Sequence, residues 1–299
     1  FNDQFSLGAG IDVEEMNATL NSHSNIMPNS TVVGAFGPFP VTQQYSDSAV
    51  RNYADDWGLG WNVGALYQFS PGSRIGLSYR SAIQHDLTGT SKYTGGTGTR
   101  YVNGTPIDTG TYPTFKTDVS TDVKLPATTT LSFYQELSQQ WAVMTSLYYT
   151  QWNSIQNLTL KDVAFIDTTS TDLIQPSQSR DVTYPENFKN TWRYALGTEY
   201  KVNDALTLRA GGNFDQSPVN NTDRTIRLPD SNRWTAALGA GYRISPNVKI
   251  DAAYMHIWFE DNVKINQPSD TNKTYLSSAV GTDNVSANLY SLQATFDIV

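Results

Sequence analysis

The sequence predicts an all-β chain, a transmembrane antiparallel up-and-down β-barrel with about ten strands present. Three observations carry that prediction. Apolar residues recur at every second position over stretches longer than a soluble strand needs. Short turns alternate with long polar connections. Aromatic residues make up 12% of the chain and charged residues only 16%, a balance that suits a wall whose two membrane interfaces are lined with rings.

The clearest alternation runs from Trp57 through Leu59, Trp61, Val63, Ala65 and Tyr67 to Phe69, with Gly58, Gly60, Asn62, Gly64, Leu66 and Gln68 between. That length exceeds the usual five or six residues of a soluble strand and fits a tilted membrane strand of about 9–11 residues prolonged past the lipid. Ser70-Pro71-Gly72-Ser73 reads as a tight turn, after which Ile75, Leu77, Tyr79 and Ile83 share one face and Arg74, Ser78, Arg80 and Gln84 the other. The same couplet recurs three times. Strand 128–138 meets 141–153, strand 190–201 meets 205–215, and strand 233–244 meets 247–260, each across a short polar turn. Strands at 5–20 and 286–298 complete the set. The other connections, near 21–56, 91–127, 154–189, 216–232 and 261–285, are long and polar. Short periplasmic turns and long outer loops are the outer-membrane layout.

Composition removes several classes. A formal charge of −8 leaves no basic stripe to neutralise nucleic-acid phosphates. With no cysteine there is no disulfide, thiolate metal site or Cys nucleophile. No apolar run approaches the about 18 residues of a transmembrane helix. The opening Phe1-Asn2-Asp3-Gln4-Phe5 does not read as a signal peptide. Trp141, Tyr148, Tyr149, Trp152, Tyr254 and Trp258 stand near strand ends, where an amphipathic ring meets the headgroups. Arg80, Glu136, Arg193, Glu199, Arg209, Asp215, Lys249 and Asp251 lie within strands. An Arg or Lys facing lipid at midplane costs about 2–4 kcal/mol, so these residues are expected to face the lumen, as a channel lining or as an internal salt network.

The sequence resembles the FadL/TodX-type transporters of Gram-negative outer membranes. The resemblance is carried in order by Phe5-Ser6-Leu7-Gly8-Ala9-Gly10, then Asp55-Asp56-Trp57-Gly58-Leu59-Gly60-Trp61-Asn62 with Gly64 and Tyr67, and Tyr79-Arg80-Ser81. Leu125-Pro126-Ala127-Thr128, Leu206-Thr207-Leu208-Arg209, Ser217-Pro218-Val219 and Leu228-Pro229-Asp230-Ser231-Asn232-Arg233-Trp234 follow. It implies a barrel of about 14 strands plugged by an N-terminal hatch. The chain, one barrel domain over 1–299, would then hold the last ten strands, without the hatch. It departs from the pattern at Phe296-Asp297-Ile298-Val299, which lacks a terminal aromatic.

The resemblance further implies that two long outer loops form a hydrophobic landing groove. By strand order these are 21–56, carrying Ile26, Met27, Val32, Val33, Phe36, Phe39 and Val41, and 91–127, carrying Tyr93, Tyr101, Val102, Ile107, Tyr112 and Phe115. Apolar residues in loops expected to face water mark a binding surface or the core of a lid packed on itself. For a ligand carboxylate, Arg51, Arg80, Arg193 and Arg209 are the candidate partners. The implied function is passage of fatty acids, alkanes or monoaromatics across the outer membrane by a monomer in contact with its lipid, with no cofactor, metal or catalysis. Two other readings of the strand pattern are a general porin or surface-binding barrel, and an omptin-like protease. The protease reading lacks a dyad. His85 and Asp86 are strand neighbours that point oppositely, His256 shares its face with Tyr254 and Trp258, and His23 opens a loop.

Overall fold

Period two turns successive side chains to opposite faces of a strand, and strands make up nearly all of the described chain. The computed structural model describes residues 4–24, 29–34, 37–45, 48–102, 105–111, 113–165, 178–260, 263–267 and 279–297. In chain order the strands are β1 (Phe5–Ser24), β2 (Asn29–Gly34), β3 (Gly37–Tyr45), β4 (Ser48–Ser70), β5 (Ser73–Arg80), β6 (Ile83–Thr94), β7 (Thr97–Val102) and β8 (Thr105–Thr111). Next come β9 (Phe115–Leu125), β10 (Thr128–Glu136), β11 (Trp141–Thr150), β12 (Asn157–Phe165), β13 (Gln178–Pro185), β14 (Thr191–Lys201) and β15 (Leu206–Asp215). The series ends with β16 (Arg233–Ser245), β17 (Val248–Phe259), β18 (Val263–Gln267), β19 (Ala279–Asp283) and β20 (Ser286–Phe296).

The wall is antiparallel and runs β1, β4, β5, β10, β11, β14, β15, β16, β17, β20. These are the ten strands the alternation predicts. Turns at 71–72, 137–140, 202–205 and 246–247 join neighbours at one end. Among the described residues no ladder joins β1 to β20. One face of the wall is apolar and exposed: Ile11 is paired beside Trp61, Leu238 beside Tyr254, and Trp234 beside Trp258. A continuous exposed apolar band is what a lipid-facing wall requires. Arg80, Arg193, Glu199, Arg209 and Asp251 share the opposite, inner face, as the cost of charge in lipid demands.

The outer connections differ from the polar loops expected. β1 continues to Ser24 and β4 begins at Ser48, so this hairpin rises well above the wall. β2 and β3 lie within 21–56, β7 and β8 within 91–127, β12 and β13 within 154–189, and β18 and β19 within 261–285. Protruding loops of this length satisfy their backbone donors by pairing into ladders.

The core sits above the wall and depends on a change of phase. Asn62 pairs with Arg80, but farther out Asp55 pairs with Thr88, so one extra residue enters the β5–β6 side between them. The break falls at Ser81–Ala82, and the partner strand breaks alongside at Pro126–Ala127, where proline has no N–H to donate. Beyond it the alternation reverses, and Ile83, His85 and Leu87 turn inward and are buried. There Ala54, Leu87, Val119, Leu160, Val163 and Val182 form one cluster, with Met16, Leu20, Val50 and Tyr184 packed against it. Full burial of a side chain such as Leu87 contributes about 1.5–3 kcal/mol.

Candidate functional site

Backbone pairing joins the two outer loops singled out from the sequence. β3 of the first pairs with β7 of the second, with Val41 opposite Val102 and Thr42 opposite Tyr101. β2 and β8 flank them in a four-stranded sheet, where Val32 stands opposite Phe39 and Val33 opposite Pro38. Ile107 lies within β8. Ile26, Met27, Phe36 and Tyr112 lie outside the described residues. Tyr93 and Phe115 stack at the base of this sheet, ring centroids 5.3 Å apart, with Tyr93 buried. That pair belongs to packing beneath the loops rather than to an open surface.

Inside the wall, next to β1, lies a cavity of ≈910 Å³. Its inward-facing lining includes Ser6, Gly64, Ser78, Thr130, Ser132 and Tyr148, together with Arg80. Arg80 Nε is 3.4 Å from Asp12 Oδ2, yet the side chain keeps 57% of its exposure. Asn62 Nδ2 also donates to Asp12, at 3.1 Å. Arg193 extends over the Tyr148 ring, 4.8 Å from its centroid. Its cross-strand neighbour Asp215 is taken by Arg233 at 2.7 Å. Arg209 is committed differently: it donates to Glu199 at 2.8 Å and to Asp251 at 3.0 Å, and Lys249 adds a second bond to Asp251 at 2.8 Å. This is the internal salt network considered from sequence. Arg51 stands opposite Asn21 and Lys92 on the outer stretch of β4, exposed and in phase with Tyr53 and Trp57. Of the four candidate cations, Arg80 lines the cavity and Arg193 lies against Tyr148 at its edge.

The sequence reading passed over two groups and weighed a third, His85, only against its neighbour Asp86. Glu186 and Arg227, 3.2 Å apart, tie the 216–232 loop to the segment before β14, and the Arg227 guanidinium lies 3.7 Å from the Tyr184 ring. Burial raises the Glu186 carboxyl above its ordinary range, partly opposed by Arg227. Arg180 extends over Phe165 at 4.9 Å, and burial lowers the affinity of its guanidinium for the proton. His85 is fully buried between two carboxylates, Asp56 and Glu14. None carried a local signal, because each partner comes from another strand or loop. His256 shares the apolar face with Trp258, as expected, and its Nδ1 is 2.7 Å from Asn288 Oδ1. Among the described residues no cluster has the composition of a metal site.

The sequence profile of a family described as "Outer membrane protein transport protein (OMPP1/FadL/TodX)" matches residues 1–298. The long-chain fatty acid transport protein of Salmonella typhi is 31% identical over 272 residues, covering 89% of this chain and 58% of that protein. A crystal structure of a Pseudomonas aeruginosa FadL homologue superposes with a TM-score of 0.72 at 24% identity, covering 99% of this chain and 65% of that one. The Pseudomonas putida toluene transporter TodX superposes at 0.57 and 16% identity, covering 99% and 66%. The chain thus spans 58–66% of the length of these relatives. The two structural likenesses establish the shared fold.

Proposed function

Since the chain belongs to the outer-membrane transport protein family OMPP1/FadL/TodX, we propose that it serves passage of hydrophobic solutes through a plugged barrel in the outer membrane. The solutes are long-chain fatty acids or hydrocarbons, the substrates named for its relatives. The observation that carries this reading is the joining of the two outer loops at β3–β7, together with a cavity lined by Arg80 and by Tyr148, over whose ring Arg193 extends. An acyl chain gains roughly 0.8 kcal/mol for each methylene that leaves water, so capture on an apolar loop sheet needs no chemical step. The two cations supply a place for a carboxylate farther in. The apolar outer face meets lipid, and the protein acts as a monomer.

The test uses cells that lack their own transporter and carry the complete gene. Initial uptake of labelled oleate and of labelled toluene is compared with an empty-vector control. Faster uptake of either supports the reading and selects the substrate class. No change in either, with the protein folded in the outer membrane, rejects it. Replacing both Phe36 and Phe39 by Asp is expected to weaken capture without loss of folding, and unchanged capture would remove these two residues from the landing surface.

A further inference from the structure

His85 lies where the ladder between β4 and its β5–β6 partner is interrupted. Between Asn62–Arg80 and Asp55–Thr88, β4 and β6 are not paired residue to residue. One backbone bond, from Ser81 N–H to the Trp61 carbonyl at 2.9 Å, and side chains bridge the interval. The Asp86 N–H donates to Asp56 Oδ2 at 3.0 Å, and Trp61 N–H donates to Ser81 Oγ at 2.9 Å. Ile83 and His85 lie directly on the β4 backbone, where a Cβ at Gly58 would overlap both. The His85 side chain has 0% exposure, and neither ring nitrogen makes a hydrogen bond. Nδ1 is 3.4 Å from Asp56 Oδ2 on β4, and Nε2 is 3.9 Å from Glu14 Oε1 on β1.

The two carboxylates approach opposite edges of the ring, so one bound metal ion cannot serve both nitrogens. A proton on each nitrogen can. A neutral imidazole has one N–H and one lone pair, so it must turn that lone pair toward a carboxylate; the doubly protonated ring presents a donor to each. The remaining charges nearby do not face it. Asp86 points away and accepts from Gln84 Nε2 at 2.9 Å, and Arg80 is drawn to Asp12 at 3.4 Å. On β9 the residue opposite His85 is Val123, whose neighbours Asp122 and Lys124 are exposed. Outward of the ring is the apolar cluster of Leu87 and Ala54, and inward, past Asn62 and Arg80, is the cavity.

We propose that His85 is a proton-operated latch between the outer loops and the lumen. Doubly protonated, it draws β6 onto Glu14 and Asp56 and closes the way from the apolar core to the cavity. Neutral, it loses one of the two attractions, β6 loosens from β4, and the way opens. The role of the latch in passage rests on the transport reading; the latch itself does not.

Residues 1–299 contain no cysteine, so Leu59→Cys and Gln84→Cys introduce the labelling pair once any cysteine elsewhere in the complete protein is replaced by serine. The two residues are exposed and lie on the two strands that flank the interrupted ladder. Nitroxides are attached in the complete protein in detergent, and their dipolar broadening is recorded at about pH 5 and about pH 8. Weaker broadening at the higher pH is expected, with no such change in His85→Gln. A Glu14→Gln, Asp56→Asn double variant, which keeps the ring and its packing, should also lose the response, and it serves as the readout where His85→Gln does not insert. Equal broadening at both pH values in the parent, or a response that persists in either variant, overturns the latch. A pH response of the labels without uptake of oleate or toluene would retain the latch and reject the transport reading.

Discussion

The Arg193 guanidinium lies 4.8 Å from the centre of the Tyr148 ring on the adjacent strand, both side chains on the inner face of the wall. Held over a ring rather than by a carboxylate, the cation retains its hydrogen-bond donors. A charged hydrogen bond contributes about 1.5–3 kcal/mol, roughly ten- to a hundredfold in affinity. Arg193→Gln should therefore weaken oleate binding at least about tenfold and leave toluene binding unchanged. Equilibrium binding of both solutes to the complete protein checks it, and an equal effect on the two would remove Arg193 from headgroup recognition.

The two leucines Leu87 and Leu238 separate the outer core from the lipid face. Leu87 is 1% exposed within the apolar cluster, whereas Leu238 is 65% exposed on the wall. Leu87→Ala should destabilise the protein by about 2–5 kcal/mol, the usual cost of a buried Leu→Ala cavity. Leu238→Ala leaves no internal cavity and should cost less. Urea unfolding in micelles gives both values, and equal costs would contradict the location of the core.

Gly89 of β6 stands opposite Ala54, and a Cβ there would collide with the Tyr53 carbonyl. Gly281, in β19, has nothing within 4 Å of the same position. Gly89→Ala should lower the yield of folded protein or separate β6 from β4, while Gly281→Ala should fold normally. The heat-modifiable mobility of each variant on a gel reads this, and a normally folded Gly89→Ala would show that β6 does not approach β4 so closely.

Glu186 makes the clamp on the outer loops pH-dependent. Its folded-state pKa is raised, chiefly by burial. Such a group contributes stability that is fully present below the unfolded pKa and is lost as pH rises through the folded value. The segment around Glu186 and Arg227 should therefore be most protected in acid and loosen with rising pH, and Glu186→Gln should flatten that dependence. Hydrogen exchange of the 186–190 amides across the carboxylate range, corrected for intrinsic rates, checks the sign. Protection that grows with pH would reverse the assignment.

The wall was legible because its rule is local. Trp57 to Phe69 alternate whatever else the chain does, and the inward facing of Arg80, Arg193 and Arg209 follows from parity and from the cost of charge in lipid. The outer region was less legible. Residues 91–127 read as a polar loop, yet Ser91, Tyr93, Val119 and Thr121 are buried there, because a one-residue insertion at Ser81–Ala82 reverses which side chains point in. A strand's parity is visible in sequence, but the consequence of a bulge depends on the register of its partner.

The candidate site divides along the same line. Which arginines reach the inner face follows from alternation, but which of them are already paired does not. Arg209 and Arg193 look alike in the chain, and only the cross-strand register gives Arg209 two carboxylates while Arg233 takes the Asp215 beside Arg193. His85 looked like half of a poor dyad with its neighbour Asp86. Its actual partners, Glu14 and Asp56, are brought in by two other strands. The sequence by itself determined the barrel wall, its two faces and its family, since period-two hydrophobicity and motif order are written along one strand at a time. The tertiary structure decided the joining of the outer loops, the buried core above the wall and the partner of every inward charge, since each depends on pairings between residues far apart in the chain.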